Sequence, residues 1–150
     1  MQIHRVSKDY RWEAAHRLIH GYPDNCRHLH GHSYNATVTM ELLPGRHLNQ
    51  YGFVYDYNDM KKLKKWINDH FDHACFVSSE DTDLLDFLGT QEGRGKHYIF
   101  KGQSSAERIC EELFRVASQM LGDERARVVE VRVRETCTSE AILKAPLSRD

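Results

Sequence analysis

The segment Cys26-Arg27-His28-Leu29-His30-Gly31-His32 holds the residues best suited to chemistry. In an extended chain His30 and His32 point to one face, because strand side chains alternate with a period of two. Neutral imidazole is the commonest nitrogen ligand for zinc, so such a pair needs one or two more ligands to complete a tetrahedron. His16, ending Tyr10-Arg11-Trp12-Glu13-Ala14-Ala15-His16, is the third candidate. Three histidines leave a fourth position open to water or substrate, the arrangement of catalytic rather than structural zinc. Cys26 reads two ways. Bound to the metal, its sulfur closes the shell; set slightly apart, it is a base beside a Lewis acid.

Asp72-His73 is the next candidate, since a histidine takes a proton from a thiol and a carboxylate stabilises the resulting imidazolium. Adjacent residues in regular structure point apart, so their cooperation requires irregular backbone; the alternative is that Asp72 starts a turn and His73 meets a helix dipole. Glu135 shares the parity of Val129, Val131 and Val133, which predicts a core-facing carboxylate. Burying it is costly unless a ligand with paired N–H groups meets it, or the strand ends by Arg134 and Glu135 reaches water. Glu107 has a competing explanation, because Ser104-Ser105-Ala106-Glu107 reads as a capping box.

The elements that must position these residues follow from periodicity. Tyr10, Trp12, Ala14 and His16 share one parity, and Tyr34, Ala36, Val38, Met40 and Leu42 alternate with polar neighbours, which predicts two antiparallel strands. Carrying the second parity back puts His32 and His30 on the apolar face, where they can meet His16 at one end of the pair. A helix starts after the N-cap candidate Asp56, with Met60, Leu63, Trp66, Ile67 and Phe71 on one face and Lys61, Lys62, Lys64 and Lys65 on the other. That lysine face reads chiefly as a solvated one. A second helix carries Ala106, Ile109, Cys110, Leu113, Ala117, Met120 and Leu121 and ends at Gly122, which makes Cys110 a core residue. Val77 to Lys101 reads as a surface excursion with a short strand at His97 to Phe100. Its Gly93-Arg94-Gly95 lacks the glycine pattern and context of a phosphate loop. Val128 to Thr136 and Ala141 to Ala145 are two more strands. The expectation is one α+β domain over residues 1–150, ββααββ, with a four-stranded antiparallel sheet covered by two helices on one face.

A chain of 150 residues buries roughly 68–70% of its extended surface, enough for a core without disulfides. The four cysteines, Cys26, Cys75, Cys110 and Cys137, show no Cys-x-x-Cys spacing, and the N-terminus lacks an apolar signal-peptide stretch, which points to a reducing cytoplasm. No apolar run approaches the roughly 20 residues of a membrane helix, and a formal charge of −1 gives no global attraction to nucleic acid. Small molecules or copies of itself are the expected partners.

Taken together, Glu13-Ala14-Ala15-His16-Arg17-Leu18, Cys26 four residues before His30-Gly31-His32, Asp72-His73, Ser105-Ala106-Glu107 and Glu135-Thr136-Cys137-Thr138 resemble the 6-pyruvoyltetrahydropterin synthase superfamily. The short Cys26-to-His30 spacing and the Glu-Thr-Cys-Thr run resemble its 6-carboxytetrahydropterin synthase branch, which serves queuosine biosynthesis. The segment from Ala74 to Gln103 is longer than in compact bacterial members, and Ser104-Ser105 stands where Pro-Thr is more usual. The resemblance implies a tunnelling fold and a homohexamer, a dimer of trimers with active sites at subunit boundaries. It further implies Zn2+ on His16, His30 and His32, Cys26 as catalytic thiol with Asp72 and His73 as its partners, and pterin anchoring by Glu135, with Ser105 and Glu107 as further substrate contacts. The implied substrate is 7,8-dihydroneopterin triphosphate, with zinc acidifying a carbon-bound hydrogen that Cys26 removes; Arg17 and the Lys61 to Lys65 face are the basic candidates for the triphosphate. The closest alternative product is 6-pyruvoyltetrahydropterin, and the reading from another class is a non-catalytic zinc-binding module.

Overall fold

The computed structural model describes residues 3–89 and 95–146, so residues 91–94 of the glycine-rich run lie outside it. The chain runs β1 (Arg5–His16), β2 (His30–Leu42), α1 (Tyr57–His70), β3 (Ala74–Ser78), α2 (Thr82–Gly89), β4 (His97–Phe100), α3 (Ala106–Met120), β5 (Ala126–Thr136) and β6 (Ser139–Lys144). The strands form one sheet in the order β4-β3-β1-β2-β5-β6.

The alternation in the first two strands sets the register. β1 and β2 pair antiparallel with Trp12 opposite Tyr34, Ala14 opposite His32 and His16 opposite His30. Tyr10, Trp12, Tyr34, Ala36, Val38 and Met40 are buried on one face, and the Trp12 and Tyr34 rings stack 5.4 Å apart, a cross-strand pair that locks the register. A slip of one residue would expose this whole row. Against it pack Met60, Leu63 and Ile67 of α1 and Ile109, Cys110, Leu113, Val116 and Ala117 of α3. Asp56 caps α1 by accepting from the Asn58 amide at 2.8 Å.

Three expectations need correction. Among the described residues the sheet has six strands rather than four, with three α-helices rather than two, because residues 74–89 add β3 and α2 and the short strand expected at His97 to Phe100 joins the sheet as β4. Every residue of β3 is buried. It runs parallel to β1 and β4 with both faces covered: Phe76 joins the main core, while Cys75 and Val77 pack with Leu84 and Leu88 of α2. A strand buried on both faces reads as a continuous apolar run, as Ala74-Cys75-Phe76-Val77 does, and not as an alternating one. The parity assigned to Val129 is also wrong. Thr39 pairs with Glu130 but Met40 with Val128, so Val129 is the extra residue of a bulge and Val128 takes the core position, at 4% exposure. Bulges re-aim side chains in this way; beyond it Val131 and Val133 are buried as expected.

The third correction concerns the α3 cap. Ser105, not Ser104, is the N-cap, accepting from the Arg108 amide at 3.4 Å. Glu107 therefore sits one position too early for the third helical residue that a capping box requires.

Candidate active site

His16 ends β1 and His30 begins β2, so strand pairing alone brings them together, with His32 one pleat further along. The ring centroids lie 4.7 Å (His16–His30), 5.2 Å (His16–His32) and 4.8 Å (His30–His32) apart. One ligand atom from each lies within 4.8 Å of the others. Two of the rings have a fixed tautomer. His16 Nδ1 donates to the Ser104 carbonyl at 2.6 Å, and His30 Nδ1 donates to the His28 carbonyl at 2.7 Å. A carbonyl only accepts, so the proton sits on Nδ1 and the Nε2 lone pair is free when the ring is neutral. All three Nε2 atoms are buried without a hydrogen-bond partner. Burial, aided by the neighbouring His30 and His32, pulls the His16 pKa down to about 4 despite the Ser104 contact, and burial lowers His32 as well. Glu135 brings a carboxylate oxygen to 3.6 Å from His16 Nε2. Converging lone pairs beside a carboxylate repel one another unless a cation sits among them, and histidine ligands are typically oriented by such carbonyl bonds through the second nitrogen. The donor set fits a metal ion.

Cys26 is not part of this group. It sits in a short 3-10 turn, Asn25–Arg27, and lines an adjoining cavity of about 270 Å³ together with His16, Tyr22, Ser105, Glu107 and Glu135. Five residues singled out from the sequence thus share one cleft. Glu135 is half-buried, and its pKa is raised chiefly by that burial; Tyr34 Oη donates to it at 3.5 Å. Released from the capping box, Glu107 faces the same cleft.

Asp72 and His73 line no part of the Cys26 cleft; His73 borders a second cavity of about 460 Å³, together with Glu13, Ser33, Cys75 and His32 of the histidine cluster. The irregular backbone their cooperation requires is present. His73 adopts φ +59, an uncommon conformation outside glycine. Its amide donates to the Glu13 carbonyl at 2.7 Å, and Asp72 Oδ1 accepts from the Glu13 amide at 2.9 Å. Asp72 Oδ2 is left 2.9 Å from His73 Nδ1. The Glu13 amide first, and His73 after it, hold the Asp72 carboxyl below its usual range. Lys96 Nζ fastens the turn from below, donating to the Asn68 and Asp72 carbonyls at 2.6 and 2.7 Å.

Four of the basic candidates, Arg17, Lys62, Lys64 and Lys65, are engaged. Arg17 forks onto Asp81, with Nε 2.7 Å from Oδ2 and Nη2 2.6 Å from Oδ1. Lys62 and Lys65 pair with Asp59 and Asp69 on their own helix, and Lys64 donates to the Arg11 carbonyl. Sequence reasoning missed Asp81, Gln103 and the role of the Ser104 carbonyl in orienting His16. Only Asp81 carried a readable signal, as an N-cap type just ahead of Leu84-Leu85.

The chain matches the 6-pyruvoyl tetrahydropterin synthase family over residues 5–146. A protein of Rickettsia typhi named 6-carboxy-5,6,7,8-tetrahydropterin synthase is 31% identical over 100 residues, 66% of this chain and 69% of that one. The Haemophilus influenzae protein of the same name is 28% identical over 138 residues, covering 90% and 94%. Among solved structures, an uncharacterised Wolinella succinogenes protein superposes with TM-score 0.81 at 19% identity, over 96% of this chain and 99% of that one. The Caenorhabditis elegans 6-pyruvoyl tetrahydropterin synthase superposes with TM-score 0.67 at 20% identity, over 97% of each. With a match that runs through every strand and helix and a fold shared end to end, this chain belongs to the 6-pyruvoyl tetrahydropterin synthase family.

Proposed function

We propose that this protein is a zinc-dependent 6-carboxy-5,6,7,8-tetrahydropterin synthase, converting 7,8-dihydroneopterin triphosphate and water to 6-carboxytetrahydropterin, acetaldehyde and triphosphate in the cytoplasm, on the way to queuosine. The observation that carries this reading is the set of three buried, unpartnered Nε2 atoms opening beside a cleft that holds Cys26, Glu107 and Glu135. Relatives named for this activity cover most of the chain. His16, His30 and His32 would hold the zinc, which supplies Lewis acidity to the substrate's side-chain oxygens.

The protein residues divide the remaining work. Glu135, whose carboxylate is costly to bury unpaired, accepts from the paired N–H groups of the pterin, with Glu107 and Ser105 beside it. The Cys26 thiolate removes the carbon-bound proton. His73 receives the proton from the thiol, and Asp72 stabilises the imidazolium through the 2.9 Å contact. One copy of the chain keeps Cys26 and His73 in different cavities, and a cleft of about 270 Å³ is small beside the roughly 300–1,000 Å³ of ordinary ligand pockets. A homohexamer with sites between copies resolves both. Open strand edges favour that assembly: β3 pairs with β1 only at Ala14–His16, residues 5–12 of β1 have no strand partner on that side among the described residues, and exposed edges seek partners.

Mass spectrometry of the products formed by the zinc-loaded protein from 7,8-dihydroneopterin triphosphate, with acetaldehyde assayed in parallel, tests the reading. The expected result is 6-carboxytetrahydropterin with acetaldehyde. Formation of 6-pyruvoyltetrahydropterin without acetaldehyde assigns the protein to the pyruvoyl-forming branch, and absence of turnover supports a non-catalytic zinc module.

A further inference from the structure

The segment from Arg17 to Leu29 that carries Cys26 has little of its own to hold it. Its one regular turn, Asn25–Arg27, buries no residue. The restraint comes from backbone and side-chain bonds at its root. Leu18 donates its amide to the Cys26 carbonyl at 2.8 Å, so Cys26 stands wherever Leu18 is held. Both neighbours of Leu18 are clamped. Arg17 makes the bidentate fork to Asp81, and Ile19 exchanges two bonds with the Gln103 side chain, its amide donating to Oε1 at 3.0 Å and its carbonyl accepting from Nε2 at 2.9 Å.

Asp81 is built for this purpose more firmly than an ordinary surface carboxylate. It is 6% exposed. The same Oδ1 that receives Arg17 also accepts from the Leu84 amide at 3.3 Å, so the carboxylate is oriented by the start of α2, whose Leu84 and Leu88 are anchored against β3. A rigid acceptor opposite a planar guanidinium fixes direction as well as distance, which a lysine or a single hydrogen bond does not. We propose that Asp81 is a positioning residue for Cys26, acting through the Arg17 fork and the Leu18–Cys26 backbone bond. The longer segment between α1 and α3 thereby becomes the support of the catalytic loop. This proposal rests on the reading of Cys26 as the base, and its structural half can be tested without that reading.

The experiment compares Asp81→Asn and Asp81→Glu in the zinc-loaded protein, with Arg17→Lys as a second probe should Asp81→Asn fail to fold. Three quantities are read: kcat and KM, zinc per chain, and hydrogen exchange at the Leu18 amide and across residues 18–27. Asp81→Asn and Arg17→Lys are expected to lower kcat about 10–100-fold, the scale of a misplaced reacting group. KM and zinc content stay near the wild-type values, exchange across residues 18–27 quickens, and Asp81→Glu recovers most of kcat. Unchanged kcat, or a loss that only tracks lost zinc or lost folded protein, overturns the proposal, as does unaltered exchange at Leu18. Should the wild-type protein not turn over 7,8-dihydroneopterin triphosphate at all, the proposed function fails, while faster exchange in Asp81→Asn still upholds the clamp.

Discussion

Two histidine tautomers decide what the cluster can bind. Because carbonyls of Ser104 and His28 hold the Nδ1 protons, the Nε2 atoms converge as acceptors in need of a cation. Cys26 stands outside the cluster, so Cys26→Ala is expected to retain one zinc per chain by elemental analysis while turnover stops. Loss of zinc in that variant would instead indicate a closed shell of three histidines and a cysteine. Asp81 gives a pH signature of its own. The Arg17 guanidinium holds its carboxyl below the ordinary carboxylate range, so its contribution to stability is complete above the unfolded value of about 3.9 and is lost as pH falls through the lower folded value. Denaturant midpoints are expected to show Asp81→Asn less stable than the wild type by about 1–3 kcal/mol near neutrality, with the gap narrowing below about pH 4. A gap independent of pH would mean the ion pair contributes nothing.

At the scale of elements, β3 changes the account of the insertion most. Phe76 is fully buried and contacts the Phe71, Tyr34 and Phe100 rings. Phe76→Ala is therefore expected to destabilise the protein by about 3–5 kcal/mol, the cost of emptying a core aromatic. A loss near zero in a denaturant titration would return the segment to the status of a surface loop. Lys96, ahead of β4, meets two carbonyls at and beyond the end of α1, a place where a cation suits the helix dipole. The strands around the site were legible because a period of two leaves a mark in any sequence. The bulge at Val129 was not: an extra residue in β5 is decided by its pairing with β2, and nothing in Val128-Val129-Glu130-Val131 marks where the parity breaks.

For the molecule as a whole, the separation of Cys26 from Asp72 and His73 is the consequential feature. If neighbouring copies complete one another, Cys26→Ala and His73→Ala are each inactive alone, yet co-expressed chains recover activity, since a mixed assembly contains sites with both residues intact. Light scattering of the same preparations is expected to give the mass of a hexamer of the 17.6 kDa chain. Failure of the mixed assembly to regain turnover would place the whole relay within one chain.

The sequence by itself determined the two histidine-bearing strands and the apolar faces of α1 and α3, because each depends on spacing along a regular element, and regular elements repeat locally. It also carried the family resemblance in its motifs. Tertiary structure alone decided the rest. The acceptor that orients His16 lies 88 residues away in Ser104, and the carboxylate that clamps Arg17 lies 64 residues away in Asp81. The α3 cap moved by one residue, which freed Glu107 for the cleft, and Asp72 and His73 line no part of the cavity that holds Cys26. Such contacts are set by which distant backbone atoms the packed sheet brings within hydrogen-bond reach, and spacing along the chain holds no record of them.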